Sequence, residues 1–316
     1  MKKAFEKLNL RDYGVLLGFL ALCIAISIAT PSFLGKQNIL NLLRQSSIIG
    51  IISAGMTFVI ISGNFDISVG AVSALAGAIT MKFATGGTNL FASMLLGIAI
   101  CAVIGLINGI VVAKINVPSL IATMAMVTIV RGLLLMLTGG YPITENIPIL
   151  DYIGNGYLFN IPIPVVIFFT VVLASFIVLN KTKFGRYVYS VGGNQEASKL
   201  NGINVDSHKV KVFIINAVLA GIAGIVLTGR LGTATAIAGE GYDMDAIASV
   251  VIGGTSVAGG SGSVLKTVIG VLLMSVINNS FNLLGIDVYF QYIFKGLIIL
   301  AAVGFDSYSK KKLASR

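Results

Sequence analysis

Charge divides the chain into long uncharged stretches. Residues 13–35, 45–65, 83–113, 152–180, 212–229, 246–265 and 267–286 contain no Asp, Glu, Lys or Arg. Several of them reach the roughly 20 apolar residues that a helix needs to cross a bilayer core of about 30 Å. Backbone groups in lipid must bond within their own segment, so runs of this length predict helices rather than a barrel. The pattern predicts about ten spans, near 13–30, 46–62, 69–85, 90–112, 117–138, 163–180, 210–229, 245–257, 266–284 and 288–306. The expected fold is an all-α polytopic membrane protein, with a single transmembrane domain over residues 1–316.

Composition agrees with that reading. Of 316 residues, 56% are hydrophobic and 11% charged, whereas a soluble domain carries about 25% charged residues. A net charge of +10 would suggest nucleic acid in a soluble protein; here it reads as loop charge and no nucleic-acid partner is expected. With the N-terminus inside, Lys2, Lys3, Lys7, Arg11, Lys114, Lys181–Arg186, Lys199, Lys209, Lys211, Lys266, Lys310–Lys312 and Arg316 fall on the cytoplasmic side. Glu145, Asp151, Glu240, Asp243, Asp245 and Asp287 fall outside, so both termini are expected in the cytoplasm. The start looks like a signal peptide, but the apolar run Tyr13–Thr30 exceeds the 7–15 residues of such a segment and predicts a retained first helix. Cys23 and Cys101 lie in uncharged runs, where a small apolar role is expected and a disulfide is not. Two connections are long: Gly139–Pro162, acidic and expected outside, and the basic loop at about 181–211, expected inside.

Two segments interrupt the apolar pattern: Ser62–Gly70, with two glycines after Ser62 and an acid between them, and the far more glycine-rich Gly253–Ser263. Such interruptions permit close helix packing or a broken helix lining a cavity. Transporters place breaks of this kind at matching positions in two halves. Ile129-Val130-Arg131-Gly132-Leu133-Leu134 echoes Ile293-Phe294-Lys295-Gly296-Leu297-Ile298, and Ile107-Asn108 echoes Ile277-Asn278. These echoes predict two inverted repeats.

The inventory argues against an enzyme. His208 is the only histidine, so no paired-His or His–Cys metal site is expected. The stretch Gly260–Thr267 superficially resembles a phosphate loop but has Leu265 where a glycine is required. Asp66 has two readings, a cap for the following helix or a pathway-lining group; with Asn64, Ser68 and Asn108 it makes the candidate substrate pathway. Arg131 and Lys295 are long enough to snorkel to a headgroup layer. Gly14-x-x-x-Gly18 and Gly105-x-x-x-Gly109 read as helix-packing motifs. An ion-coupled carrier would show a buried carboxylate relay, for which Asp66 alone is thin.

The cytoplasmic loop predicts a short amphipathic helix from Asn194 to Leu200, ended by Asn201-Gly202, with Ala197 and Leu200 on one face. It reads either as a loop on the membrane surface or as a knob that docks into another protein. Glu196-Ala197-Ser198-x-x-x-Gly202 matches the Glu-Ala-Ala-x-x-x-Gly motif of bacterial ABC-importer permeases, without the Ile-x-Leu-Pro that follows in its extended form. The stretches Phe184–Asn194, Gly55–Gly63 with Asp66–Gly70, Gly241–Ala248 with Val251–Ser256, and Tyr292–Gly296 resemble the ribose/monosaccharide permease group specifically. The resemblance implies a type II importer-like subunit of the bacterial cell membrane, working as a homodimer. It implies a cytoplasmic ATPase partner that holds the ATP and Mg, with no cofactor in this chain, and an extracytoplasmic sugar-binding protein. Gly185, Arg186, Gly192, Gly193, Asn194, Glu196, Ala197 and Gly202 would then couple to the ATPase, and Glu240, Asp243 and Asp245 would meet the binding protein. The cargo implied is ribose or a related monosaccharide; nucleosides, a signalling sugar, an ion-coupled carrier and a non-transporting scaffold stand as alternatives.

Overall fold

A computed structural model describes residues 10–314; Lys2, Lys3, Lys7 and Arg316 of the charge pattern lie outside the described residues. The chain is a helical bundle. In order it forms α1 (Leu10–Ala29), a 3₁₀ turn (Pro31–Leu34), α2 (Lys36–Ile61), α3 (Val69–Thr85), α4 (Leu90–Ala113) and α5 (Ser119–Thr138). A small cap follows: β1 (Ile143–Thr144), α6 (Pro148–Asn155), β2 (Tyr157–Leu158) and β3 (Ile161–Pro162). The second part comprises α7 (Ile163–Lys181), α8 (Lys183–Gly193), α9 (Gln195–Leu200), α10 (Val205–Leu231), β4 (Thr233–Ala234), α11 (Tyr242–Ile252), α12 (Val264–Leu283) and α13 (Val288–Ala314). Among the described residues, α2, α4, α5, α7, α10 and α12 are the six helices long and apolar enough to cross a bilayer.

The core is built from α2, α3 and α10. Every residue from Ser46 to Ile61 and from Val69 to Met81 is buried, so these stretches have no solvent or lipid face. They approach closely because their contact faces are small. A Cβ at Gly224 would lie 1.8 Å from the Ser73 carbonyl oxygen, and one at Gly77 would lie 1.9 Å from Thr228 Oγ1. Apolar attraction cannot drive helices together in lipid, so dispersion between such backbones supplies the association. Gly105 and Gly109 do the same between α4 and α10, against Phe213, Ala217 and Val210, whereas Gly18 has nothing within 4 Å. The outer helices keep large apolar side chains exposed, among them Ile24 and Ile28, Phe91 and Leu95, Ile121 and Met124, and Phe169 and Leu173.

The cap sits on one end of the bundle. Asn155 Nδ2 donates to the carbonyls of Gly229 and Arg230 at 3.3 and 3.2 Å, and Arg44 Nη2 donates to Asn155 O at 3.0 Å. β1 pairs antiparallel with β4, with Ile143 opposite Ala234. From there residues 235–241 run back into the bundle as a re-entrant segment until the Gly239 backbone meets that of Gly70, at the head of α3. The expectation of a full span near 245–257 is corrected here. α11 has only eleven residues, about 17 Å at 1.5 Å per residue, because Gly253 and Gly254 stop it; Gly254 has φ +87°.

Candidate functional site

At the end opposite the cap, α8 and α9 form a knob. Thr182 starts it: its hydroxyl accepts from the Gly185 amide at 3.1 Å and donates to Val178 O at 2.6 Å. Asn194 ends α8 and caps α9, accepting from the Ala197 amide at 2.9 Å. The expected stop at Asn201-Gly202 is present, with Gly202 at φ +78° and Ile203 N bonded to Ser198 O at 3.1 Å. Gly185, Val188, Val191 and Ser198 face inward and are buried. Arg186, Glu196, Ala197, Gly202 and Leu200 are exposed, and Leu200 is 88% accessible at the tip. His208 lies against this knob, stacked on Phe184 at 5.8 Å and edge-on to Tyr187 at 5.1 Å.

The inner side of the knob rests on both interruptions of the bundle at once. A Cβ at Gly192 would lie 1.7 Å from Ile61 O and 2.8 Å from Gly260 N. One at Gly260 would lie 2.7 Å from Gly193 Cα, and one at Gly259 would lie 2.9 Å from Gly63 Cα. Gly260 N donates to Ile61 O at 2.8 Å, and the Tyr189 hydroxyl donates to Gly262 O at 3.0 Å. Burial pushes the Tyr189 phenol above its ordinary value. Three backbones therefore touch with no side-chain torsion between them, those of α8, the end of α2 and the connection from α11 to α12. The phosphate-loop look-alike takes part in this contact through Gly260, and Thr267 Oγ1 lies 3.0 Å from Thr57 Oγ1.

Higher in the first interruption, Asp66 gathers a buried polar node. Its Oδ1 accepts from the Ser68 amide at 2.9 Å and the Ser68 hydroxyl at 2.5 Å, and its Oδ2 accepts from Asn216 Nδ2 at 2.9 Å. Asn108 Nδ2 donates to Ser68 Oγ at 3.1 Å. Asp66, Ser68, Asn108 and Asn216 are all at most 2% exposed. Asn64 is elsewhere, its amide turned back onto the Ser62 carbonyl and hydroxyl. The structure thus brings together three of the four expected pathway residues and adds Asn216, whose only sequence signal was an amide inside an uncharged run.

A second node lies at the head of α11. Lys295 Nζ is 3.1 Å from both carboxylate oxygens of Asp245, and Asn278 Nδ2 donates to Oδ2 at 3.3 Å. Arg131 Nη1 donates to the carbonyls of Ala236 and Ala238, holding the re-entrant segment. The snorkelling reading of Arg131 and Lys295 is therefore replaced by specific partners. Asp245, expected to meet a docked protein, is instead 3% exposed and engaged; Glu240 and Asp243 line a recess between α5, α11 and α13. Among the described residues no cluster of His, Cys, Asp and Glu could hold a metal ion.

Residues 38–303 match the model of a family described as branched-chain amino acid transport system / permease component. The ribose import permease protein of Haemophilus influenzae is 43% identical over 303 residues, covering 93% of this chain and 94% of that one. Its Bacillus subtilis counterpart is 43% identical over 300 residues, covering 94% and 93%. The L-arabinose transport system permease protein of Escherichia coli is 35% identical over 300 residues, covering 95% and 92%. No solved structure gave a match.

Proposed function

The chain belongs to the branched-chain amino acid transport system / permease component family, and we propose that it is the membrane-spanning subunit of an ATP-driven importer for ribose or a related monosaccharide. The similar permeases are named for ribose and L-arabinose, which favours a sugar over the amino acids of the family's description. ATP and Mg belong to a separate ATPase, and this chain carries neither catalysis nor cofactor. Two copies form the membrane unit in the bacterial inner membrane, and a binding protein delivers cargo to the cap.

The observation that carries this reading is the seat of the knob on Ile61–Gly63 and Gly259–Gly260. An ATPase that grips Glu196, Ala197 and Leu200 moves both interruptions in one stroke. The crossing count is ten when residues 62–68 with α3, and the re-entrant segment with α11, each count as one crossing. On that count α1 begins and α13 ends on the knob side, which the basic loop assigns to the cytoplasm. The two halves are inverted repeats, a reading supported by side-chain roles: Asn108 and Asn278 each serve an acidic node at the start of a helix, α3 and α11.

Co-purification in mild detergent tests the assignment. The wild-type chain retains a stoichiometric ATPase, and Leu200→Asp, which alters only an exposed tip, releases it with the fold intact. A chain that purifies alone and drives uptake in ATP-free liposomes is a secondary carrier, and the assignment fails.

A further inference from the structure

The cap carries a hairpin whose apolar side chains point outward. β2 and β3 pair with Tyr157 opposite Pro162 and Leu158 opposite Ile161, which leaves Phe159 and Asn160 as a two-residue loop. Both have positive φ, +48° and +66°, the twist that the commonest hairpins of this length use. Glycine and asparagine take such positions readily, whereas a bulky residue there is an outlier. Phe159 nevertheless stands there, 91% exposed. Tyr152, Tyr157, Leu158 and Ile161 around it are exposed as well, and residues 152–162 hold no charge. We propose that this hairpin is an anchor in the headgroup layer on the cap side of the membrane, its partner the phospholipid surface itself.

The length of the next helix sets the depth. Pro162 leads directly into α7, whose 19 residues span about 28 Å at 1.5 Å per residue. That matches a bilayer core of about 30 Å, and the run stays uncharged as far as Lys181. α7 therefore begins at the hydrocarbon boundary, and its exposed Phe169 and Leu173 continue the apolar surface below the hairpin. From Pro162 back to Phe159 is at most about 10 Å of extended chain, so the tip stays close to the layer where amphipathic rings are favoured. The hairpin is also held in place. The Tyr152 hydroxyl donates to Tyr157 O at 3.0 Å, and the Arg44 guanidinium lies 4.9 Å from the centre of the Tyr157 ring. A strained loop that turns a phenyl ring outward gains from it only where the ring leaves water. The acids of the cap lie elsewhere: Glu145 and Asp151 line a recess of about 200 Å³ with Thr228 and Gly232. A water-soluble partner meets charge at that recess and none at the hairpin.

The chain contains no tryptophan, so Phe159→Trp makes the tip its sole indole. The full-length variant is reconstituted in phosphatidylcholine liposomes. Its emission is read with lipids brominated near the glycerol end or near the methyl end of the acyl chain, and with acrylamide on both sides of the membrane. Leu200→Trp, at the accessible tip of the knob, is the aqueous reference. The shallow bromolipid removes roughly half of the Phe159→Trp emission, as a ring at headgroup depth requires. The deep bromolipid removes little, and acrylamide acts far less than on Leu200→Trp. Leu158→Trp, on the strand and away from the positive-φ loop, gives the same ordering and covers the case in which the loop rejects an indole. Acrylamide quenching equal to the reference, with no effect of either lipid, puts the hairpin in water and overturns the anchor. Quenching by none of the three means that protein covers the hairpin, a second copy included, and overturns it as well. Stronger quenching by the deep lipid overturns the assigned depth. The readout involves neither cargo nor ATPase, so failure of the importer reading leaves it standing.

Discussion

The two acidic nodes of the bundle use similar parts to opposite ends. At each, an aspartate sits at the start of a helix, Asp66 before α3 and Asp245 in the first turn of α11, and an asparagine from the next long helix joins it: Asn108 of α4 through Ser68, Asn278 of α12 directly. Among the described residues Asp66 has no cation; its partners are an amide, a hydroxyl and Asn216, and all are sealed. Asp245 has Lys295, whose side chain is 23% exposed toward the recess. A carboxylate satisfied wholly by neutral donors of fixed geometry is a lock. One held by a long, partly accessible lysine can be released and remade as α11 and α13 shift. Polar chemistry near a membrane helix break is therefore not in itself a pathway; the accessibility of the counter-group decides.

The largest effect is expected where the lock is removed. Asp66→Ala leaves the Ser68 amide, its hydroxyl and the Asn216 amide without an acceptor in a sealed core. At about 1–3 kcal/mol for each buried unsatisfied group, the loss reaches several kcal/mol, and the folded fraction in detergent collapses in a thermal melt. A melting temperature near wild type would mean that the node is not structural.

Lys295→Met comes next. It strands the Asp245 carboxylate, but the neighbouring recess admits water. The expected loss is about 2 kcal/mol, below the 3–5 kcal/mol of a fully buried broken pair. Lys295→Met combined with Asp245→Asn regains at least half of that stability, because no charge is left uncompensated. Uptake stays low in the double variant if the pair must open and close during transport. Recovery of both stability and uptake would reduce the pair to packing.

Much of this contrast was hidden in the sequence for physical reasons. The uncharged runs marked the helices well, because a bilayer penalises charge strongly along about 20 residues. The knob helix was legible too, since Asn194 and Asn201-Gly202 are local start and stop signals. The depth of residues 235–241 was not. Thr235-Ala236-Ile237-Ala238-Gly239 is neither apolar enough for a span nor polar enough for a loop, and its position depends on distant groups, Arg131 and Gly70. Counting acids by side of the membrane consequently put Glu240, Asp243 and Asp245 at an outer surface. Asn216 and Asn278 were visible only as single amides among apolar residues, and nothing local indicated which carboxylate each would reach.

The smallest effect is also the sharpest discriminator between the nodes. Asp66→Asn keeps the shape and the oxygen that accepts from Ser68, and loses only the charge and one acceptor. Asn216 can absorb that change. Its Oδ1 is buried and has no partner among the described residues, so rotating its amide by half a turn presents an acceptor to the new side-chain NH₂ and the contact is remade. The expected loss is under about 1 kcal/mol, one rearranged neutral hydrogen bond, with uptake preserved. Asp245→Asn, by contrast, removes the partner of Lys295 and lowers uptake. If Asp66→Asn abolished uptake while the protein melted normally, the charge of Asp66 would be needed for transport. The division of labour between the two nodes would then be reversed.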